Sequence, residues 1–246
     1  MTPADRLFAS FDRLYILNLP SRADRRRDMA GELARIGTSL DDPRVRLFPA
    51  SRPAEPGGFA SSGAHGCFLG HLAILREARD LGCHAILILE DDCDFAAGIE
   101  TLLPPALDML DVLGFDLFYG GYDLPEGPGG GDPAATPLML ADCTAPVRTT
   151  HFLGLGRTAI TALVPYLETM LVRPPGSPEG GPMHVDGAYS WFRASRCDLS
   201  TWLARPLLGH QRPSPTDIAP PGALDRLPAP LARIARWTKR AWMRRC

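Results

Sequence analysis

The sequence predicts an α/β fold, a mostly parallel sheet with helices on both faces. Short apolar runs alternate along the chain with segments of helical periodicity. The strongest of these runs are continuously apolar, as strands covered on both faces require. The length of 246 residues suits one large domain, or one domain with a short appendage, with a core that needs no staples.

The elements follow in order. LYILNL at 14–19, bounded by Pro20 and Ser21, reads as a buried first strand. Residues 21–37 read as a helix capped by Ser21 and ended by Gly37, with Met29, Leu33 and Ile36 as its stripe. Val45 to Ala50 is a second strand, and 51–63 a Pro/Gly/Ser-rich loop. A helix spans 65–81, with Phe68, Leu72, Leu75 and Ala78 on one face. HAILIL at 84–89 is the strongest strand. A helix at 98–113 and a strand at 115–119 continue the alternation. LPEGPGGGDPAATP at 124–137 reads as a mobile loop. A strand at 147–155, a helix at 156–172, a Pro/Gly loop at 174–182, a helix in HVDGAYSWF and a strand at 199–208 complete it.

Composition excludes several classes. At 45% hydrophobic and net charge −2, the chain is not disordered. Its 24 Gly and 25 Pro have no period, so it is not collagen-like. Six cysteines form no CxxC pair, which argues against a structural zinc site. No secretory leader and no run of the roughly 20 apolar residues needed to span a bilayer is visible. The expected compartment is the cytoplasm, with the thiols reduced.

The most informative feature is the acidic run that ends the 84–89 strand: Glu90, Asp91, Asp92, Cys93, Asp94. Ligands of open α/β sheets bind at the carboxyl ends of strands. Four acids within five residues repel one another unless a cation compensates them, and a divalent metal bridging to a diphosphate does so. A receiver-type aspartyl phosphotransfer site needs a Lys on a late strand, and the only Lys is Lys239, in the basic tail. Nucleotide-sugar transfer fits better.

Four blocks then stand in order along residues 14–218. They are YILNLPSRADRRR, with Asn18 and Arg25; GAHGCFLGH, with Gly63, Gly66, Cys67 and His71; LILEDDCDF; and QRPSPTDI, with Gln211, Ser214, Asp217 and Ile218. THF at 150–152 and HVDG at 184–187 lie between them. The set resembles glycosyltransferase family 25, the family of bacterial lipooligosaccharide galactosyltransferases and collagen galactosyltransferases. The chain departs from the family pattern at Ala64, His65, Gly70 and Thr216.

The resemblance implies a GT-A-like fold over 1–224 and transfer of a hexose, galactose foremost, from a UDP-sugar to a glycan hydroxyl, with inversion. Glu90 and Asp92 would hold Mn²⁺ or Mg²⁺ on the diphosphate, Asp91 would orient or share that site, and Asp94 is a further candidate ligand. The metal acts as a Lewis acid and a template. Arg25, just past the first strand, is placed to reach a phosphate. Asn18, His71, His151 and Gln211 are candidate polar contacts to sugar or nucleotide. An inverting transfer needs a base for the acceptor hydroxyl, and Asp186 is the first candidate, Asp217 the second. Cys67 reads as small core packing. The loops at 124–137 and 174–182 are long enough to close over a substrate.

Residues 225–246 carry seven basic residues against Asp225, a net +6 that leaves −8 on residues 1–224. The tail reads as an amphipathic helix with Leu227, Leu231, Ile234, Trp237 and Trp242 on one side. Such a helix suits an anionic membrane surface, the inner face for a cytoplasmic protein, and would bring a lipid-linked acceptor within reach. Docking on the acidic body is the other reading. The acidic body argues against nucleic acid. Two competing functions remain: a non-catalytic relative that binds nucleotide or glycan as a scaffold, and a metal-dependent phosphate hydrolase.

Overall fold

The computed structural model describes residues 2–125 and 136–212, with positions 235 and 238. The loop expected at 124–137 and the tail at 225–246 fall largely outside the described residues, and Asp217 wholly so.

The chain opens with a helix that the sequence reading missed, α1 (Pro3–Ser10). A Thr2–Asp5 capping box and Pro3 in its first turn start it. There follow β1 (Arg13–Asn18), α2 (Ala23–Ile36), β2 (Val45–Pro49), α3 (Ser62–Asp80), β3 (Ala85–Glu90), β4 (Cys93–Phe95) and α4 (Ile99–Leu113). The second half holds β5 (Leu117–Asp123), β6 (Leu138–Leu140), β7 (Arg148–Gly156), α5 (Arg157–Val172), α6 (Val185–Ser195), β8 (Thr201–Ala204) and β9 (Gly209–Gln211). Gly37 ends α2 in the left-handed conformation, at φ 88°. The Ser61 hydroxyl caps α3 by accepting the Ala64 N–H at 3.0 Å.

Seven strands form one sheet in the order β2-β1-β3-β7-β5-β8-β6, and β4 pairs with β9 in a separate ribbon. Strands β2, β1 and β3 are parallel to one another, as are β5 and β8. β7 runs antiparallel between β3 and β5, and β6 antiparallel to β8. The arrangement is of the expected α/β class, with a reversed strand at its centre. Hydrophobicity gives a strand's burial but not its direction, so this reversal left no trace in the sequence.

The pleat divides the core into two layers. Tyr15, Leu17, Ile86 and Ile88 face one side, with Phe68, Leu72 and Leu75 of α3 and Leu163 and Leu167 of α5. Leu14, Ile16, Leu87 and Leu89 face the other, with Leu7 of α1, Leu33 of α2 and Leu107 of α4. Burial on both faces explains why β1 and β3 read as unbroken apolar runs.

Cys143 and Cys197 are joined by a disulfide across 54 residues. This corrects the expectation of reduced thiols for that pair. Cys67, Cys83 and Cys93 are free. No helix among the described residues is long and apolar enough to cross a membrane.

Two predictions follow from packing. A Cβ at Gly66 would stand 2.1 Å from the Ser51 carbonyl oxygen, where α3 lies against the 51–53 backbone. Gly66→Ala is expected to cost about 3 kcal/mol, the upper part of the overpacking range, measured by urea unfolding. Cys197→Ser removes the 54-residue cross-link and is expected to cost about 2–4 kcal/mol. The same assay reads it, and reductant should lower the stability of wild type only.

Candidate active site

A cavity of about 310 Å³ opens at the carboxyl ends of β1 and β3. Arg25, Cys67, Glu90, Asp92, Asp186 and Gln211 are in its walls. The elements that bring them together are distant in sequence. β3 delivers the acids, α2 Arg25, α3 Cys67, the first turn of α6 Asp186, and β9 Gln211.

Each acid has its own surroundings. Asp91 is held from both sides: Asn18 Nδ2 donates to it at 2.7 Å and Arg25 Nη1 at 2.6 Å. Asn18 therefore acts by fixing Asp91. Asp94 is drawn away from the cavity into an ion pair with Arg212, whose Nη2 donates at 2.6 Å and Nε at 2.9 Å. That pair uses up the carboxylate that the sequence reading offered to a metal, and the structure does not bring Asp94 to the cavity wall. Arg212 also reaches Asp28 at 3.0 Å and the Asp91 carbonyl at 3.4 Å. Its own N–H donates to the Asp92 carbonyl at 2.6 Å.

Glu90 and Asp92 line the cavity with Asp91 but without its close guanidinium partner. Glu90 accepts from Thr150 Oγ1 at 2.5 Å, and His71 Nε2 lies 3.5 Å from its Oε1. Burial pushes the Glu90 carboxyl up, but His71 and Thr150 outweigh it and hold the group below its ordinary range. Asp92 has weaker company. Gln211 Nε2 is 3.4 Å from its Oδ2 and Arg25 Nη1 is 3.5 Å away, while its buried Oδ1 has no hydrogen-bond partner. Burial first, then the charges of Glu90 and Asp91, push Asp92 up to about 7.

The opposite wall is built on strain. Thr149 has φ 66°, a conformation that β-branched residues avoid. In that pose its N–H donates to Asp186 Oδ2 at 3.1 Å and its hydroxyl pairs with His151 Nδ1 at 3.1 Å. Asp186 Oδ1 accepts from the Gly187 N–H at 2.8 Å. His151 lies behind the wall, its Nε2 3.3 Å from the Gly209 carbonyl, and burial lowers its pKa. It ties β7 to β9 and does not line the cavity. His71 is fully buried, with Nδ1 3.2 Å from the Tyr189 hydroxyl. Cys67, read from sequence as packing, is in the cavity wall, and burial raises its thiol pKa.

The departures from the family pattern are accommodated locally. A Cβ at Gly70 would meet Leu17 Cδ1 at 2.7 Å, so glycine there lets α3 sit close on β1. His65 stacks on Phe59 at 4.6 Å between ring centroids. Ala64 is buried against the same cluster. Thr216 lies outside the described residues.

Sequence reasoning missed Thr149, Thr150, Tyr189 and Arg212. Thr150 and Arg212 sit inside stretches already singled out, THF and QRPSPTDI, but nothing in one sequence says which acid each would meet.

No family model matches the chain. Curated relatives do, and they carry the family resemblance that the ordered motifs pointed to. Procollagen galactosyltransferase 1-B of Xenopus laevis is 29% identical over 156 residues, 54% of this chain and 25% of that protein. Inactive glycosyltransferase 25 family member 3 of Homo sapiens is 27% identical over 129 residues, 45% of this chain and 22% of that protein. The chain thus matches about a quarter of the length of these relatives. Among solved structures, a glycosyltransferase involved in glycosylation of the major capsid of PBCV-1 aligns with TM-score 0.42 and 15% identity. That alignment covers 72% of this chain and 74% of the other. A likeness that distant carries nothing about chemistry.

The raised Asp92 group gives a pH prediction. Its folded state holds the proton from 3.8 to about 7, where the unfolded chain releases it. Stability is therefore highest below that window and falls as pH rises through it. With a chelator present, Asp92→Asn should gain Tm relative to wild type between those pH values. A constant Tm difference would contradict the assignment.

Proposed function

We propose that this chain is a glycosyltransferase domain that binds a nucleotide-sugar in the cavity at the ends of β1 and β3 and passes its hexose to a glycan hydroxyl. The observation that carries this reading is Asp92, buried in the cavity beside Glu90 with one oxygen unpartnered. Similarity to procollagen galactosyltransferases supports the reaction class and makes UDP-galactose the first donor to test.

Hard carboxylate oxygens and an unsatisfied buried charge fit Mn²⁺ or Mg²⁺. Glu90 and Asp92 would hold it, and when bound it neutralises the leaving diphosphate as a Lewis acid. Arg25, kept in place by Asp91, adds a fixed positive charge on the same side of the cavity. Asp186 faces it from the opposite wall and is the proposed base for the acceptor hydroxyl. Asp217, the second candidate, is outside the described residues. Gln211 beside Asp92 would contact donor or sugar. A cell-surface glycan such as lipooligosaccharide remains the proposed acceptor, and the basic segment 225–246 would bring a lipid-linked form of it near through an anionic membrane surface.

A second reading is a nucleotide- or glycan-binding scaffold without turnover. Its specific support is the similarity to a relative named inactive.

Thermal unfolding with UDP-galactose, UDP-glucose and UDP, each with and without Mn²⁺, tests donor binding. A ligand at 100 times its Kd stabilises by about 2.7 kcal/mol, a shift of roughly 5–10 °C for a chain of this size. The shift should need Mn²⁺ and be lost in Asp92→Asn. Asp186→Asn should keep the shift and lose turnover by about 10²–10⁴. A nucleotide shift with no transfer to any acceptor would favour the scaffold. No shift at saturating nucleotide would refute the transferase and leave only a glycan-binding scaffold.

A further inference from the structure

We propose that Cys67, His71 and Glu90 form a three-ligand site for a divalent cation of borderline softness, zinc being the type ion, with an open position facing the cavity. The site goes beyond sugar transfer and does not rest on it, but it shares Glu90 with the carboxylate pair proposed for Mn²⁺, so the two ions would compete for that side chain.

Three observations carry the assignment. First, the ligand atoms of these three side chains all lie within 4.8 Å of one another. Cys67 and His71 are one helical turn apart on α3, so both project from one face. Glu90 meets them from the end of β3.

Second, His71 Nε2 is buried and has no hydrogen-bond partner. It stands 3.5 Å from Glu90 Oε1. Tetrahedral zinc, with bonds of about 2.0–2.2 Å to nitrogen and oxygen, sets such ligands about 3.4 Å apart. The His71–Glu90 pair already has that separation. The Cys67 sulfur, within 4.8 Å of both, has to move inward by ~1.4 Å at most to reach the same spacing.

Third, the outer contacts are those of a metal site. His71 Nδ1 pairs with the Tyr189 hydroxyl at 3.2 Å, and Glu90 accepts from Thr150 at 2.5 Å. A neutral His71 with its proton on Nδ1, donating to Tyr189, would present the Nε2 lone pair to a cation held between it and Glu90. Metal-bound histidines are held by such a bond on the far nitrogen.

The donor set decides the ion. One sulfur, one imidazole nitrogen and one carboxylate oxygen suit zinc better than Mg²⁺ or Ca²⁺. Cys67 and Glu90 both line the cavity, so a fourth position is open to water or to an oxygen of whatever binds there. Asp92 faces Arg25 and Gln211 and is not a member of this set.

The test uses the full chain, stripped of metal by chelator, and Co²⁺ alone as the probe. Wild type should develop a thiolate-to-cobalt charge-transfer band at one equivalent, and Zn²⁺ should abolish it. Cys67→Ser should lose the band, and Cys93→Ser should keep it. No band in wild type, or a band that survives in Cys67→Ser, overturns the proposal. If Cys67→Ser does not fold, alkylation of Cys67 in wild type replaces it, read by peptide mass spectrometry. Zn²⁺ should slow modification at least tenfold, and an unchanged rate overturns the site. The Mn²⁺-dependent nucleotide shift is read separately. A cobalt band without that shift sinks sugar transfer and keeps this site; the shift without a band does the reverse.

Discussion

Carboxylates crowded at the end of a buried strand have to be neutralised one by one, and the site is organised around how this is done. Each acid of the run receives a different answer. Asp91 takes Arg25 and Asn18, Asp94 takes Arg212, and Glu90 takes Thr150 with His71 near. Asp92 is left with long contacts only. An unpaired buried carboxylate is expensive to keep. Its retention beside a cavity is the physical reason to assign it to a ligand rather than to the scaffold.

The same pairings bind the architecture. Arg25 ties the helix after β1 to the end of β3. Arg212 joins α2, β4 and the Asp91 backbone, and so anchors the β4–β9 ribbon along one edge of the cavity. Thr149 spends local backbone strain to turn its N–H toward Asp186 while its hydroxyl meets His151. Gly121 makes room for that histidine: a Cβ there would sit 2.2 Å from His151 Nε2.

Much of the fold was legible because β1, β3, α2 and α3 bury continuous or periodic apolar residues. The strand ends at 18 and 90 lie beside the cavity, at the sheet edge where the sequence led us to expect a ligand. The rest depended on long-range partners. CDF and GHQ are too short and too polar to read as strands, and become β4 and β9 only by pairing across 118 residues. Asp94 looked like its neighbours until Arg212 claimed it. Cys143 and Cys197 carry no spacing signature. Cys67 sits on an apolar helix, so packing was the economical reading until Glu90 and His71 arrived beside it.

The Arg212 clamp has a consequence for how the protein is made. Chains emerge from the ribosome N-terminus first. The acids at 90–94 are synthesised more than a hundred residues before the guanidinium that neutralises Asp94. Until residue 212 leaves the exit tunnel, the first half carries an uncompensated charge where its sheet should close. Among the described residues β9 is the last strand, so the segment that pairs with β4 and neutralises Asp94 is made well after both.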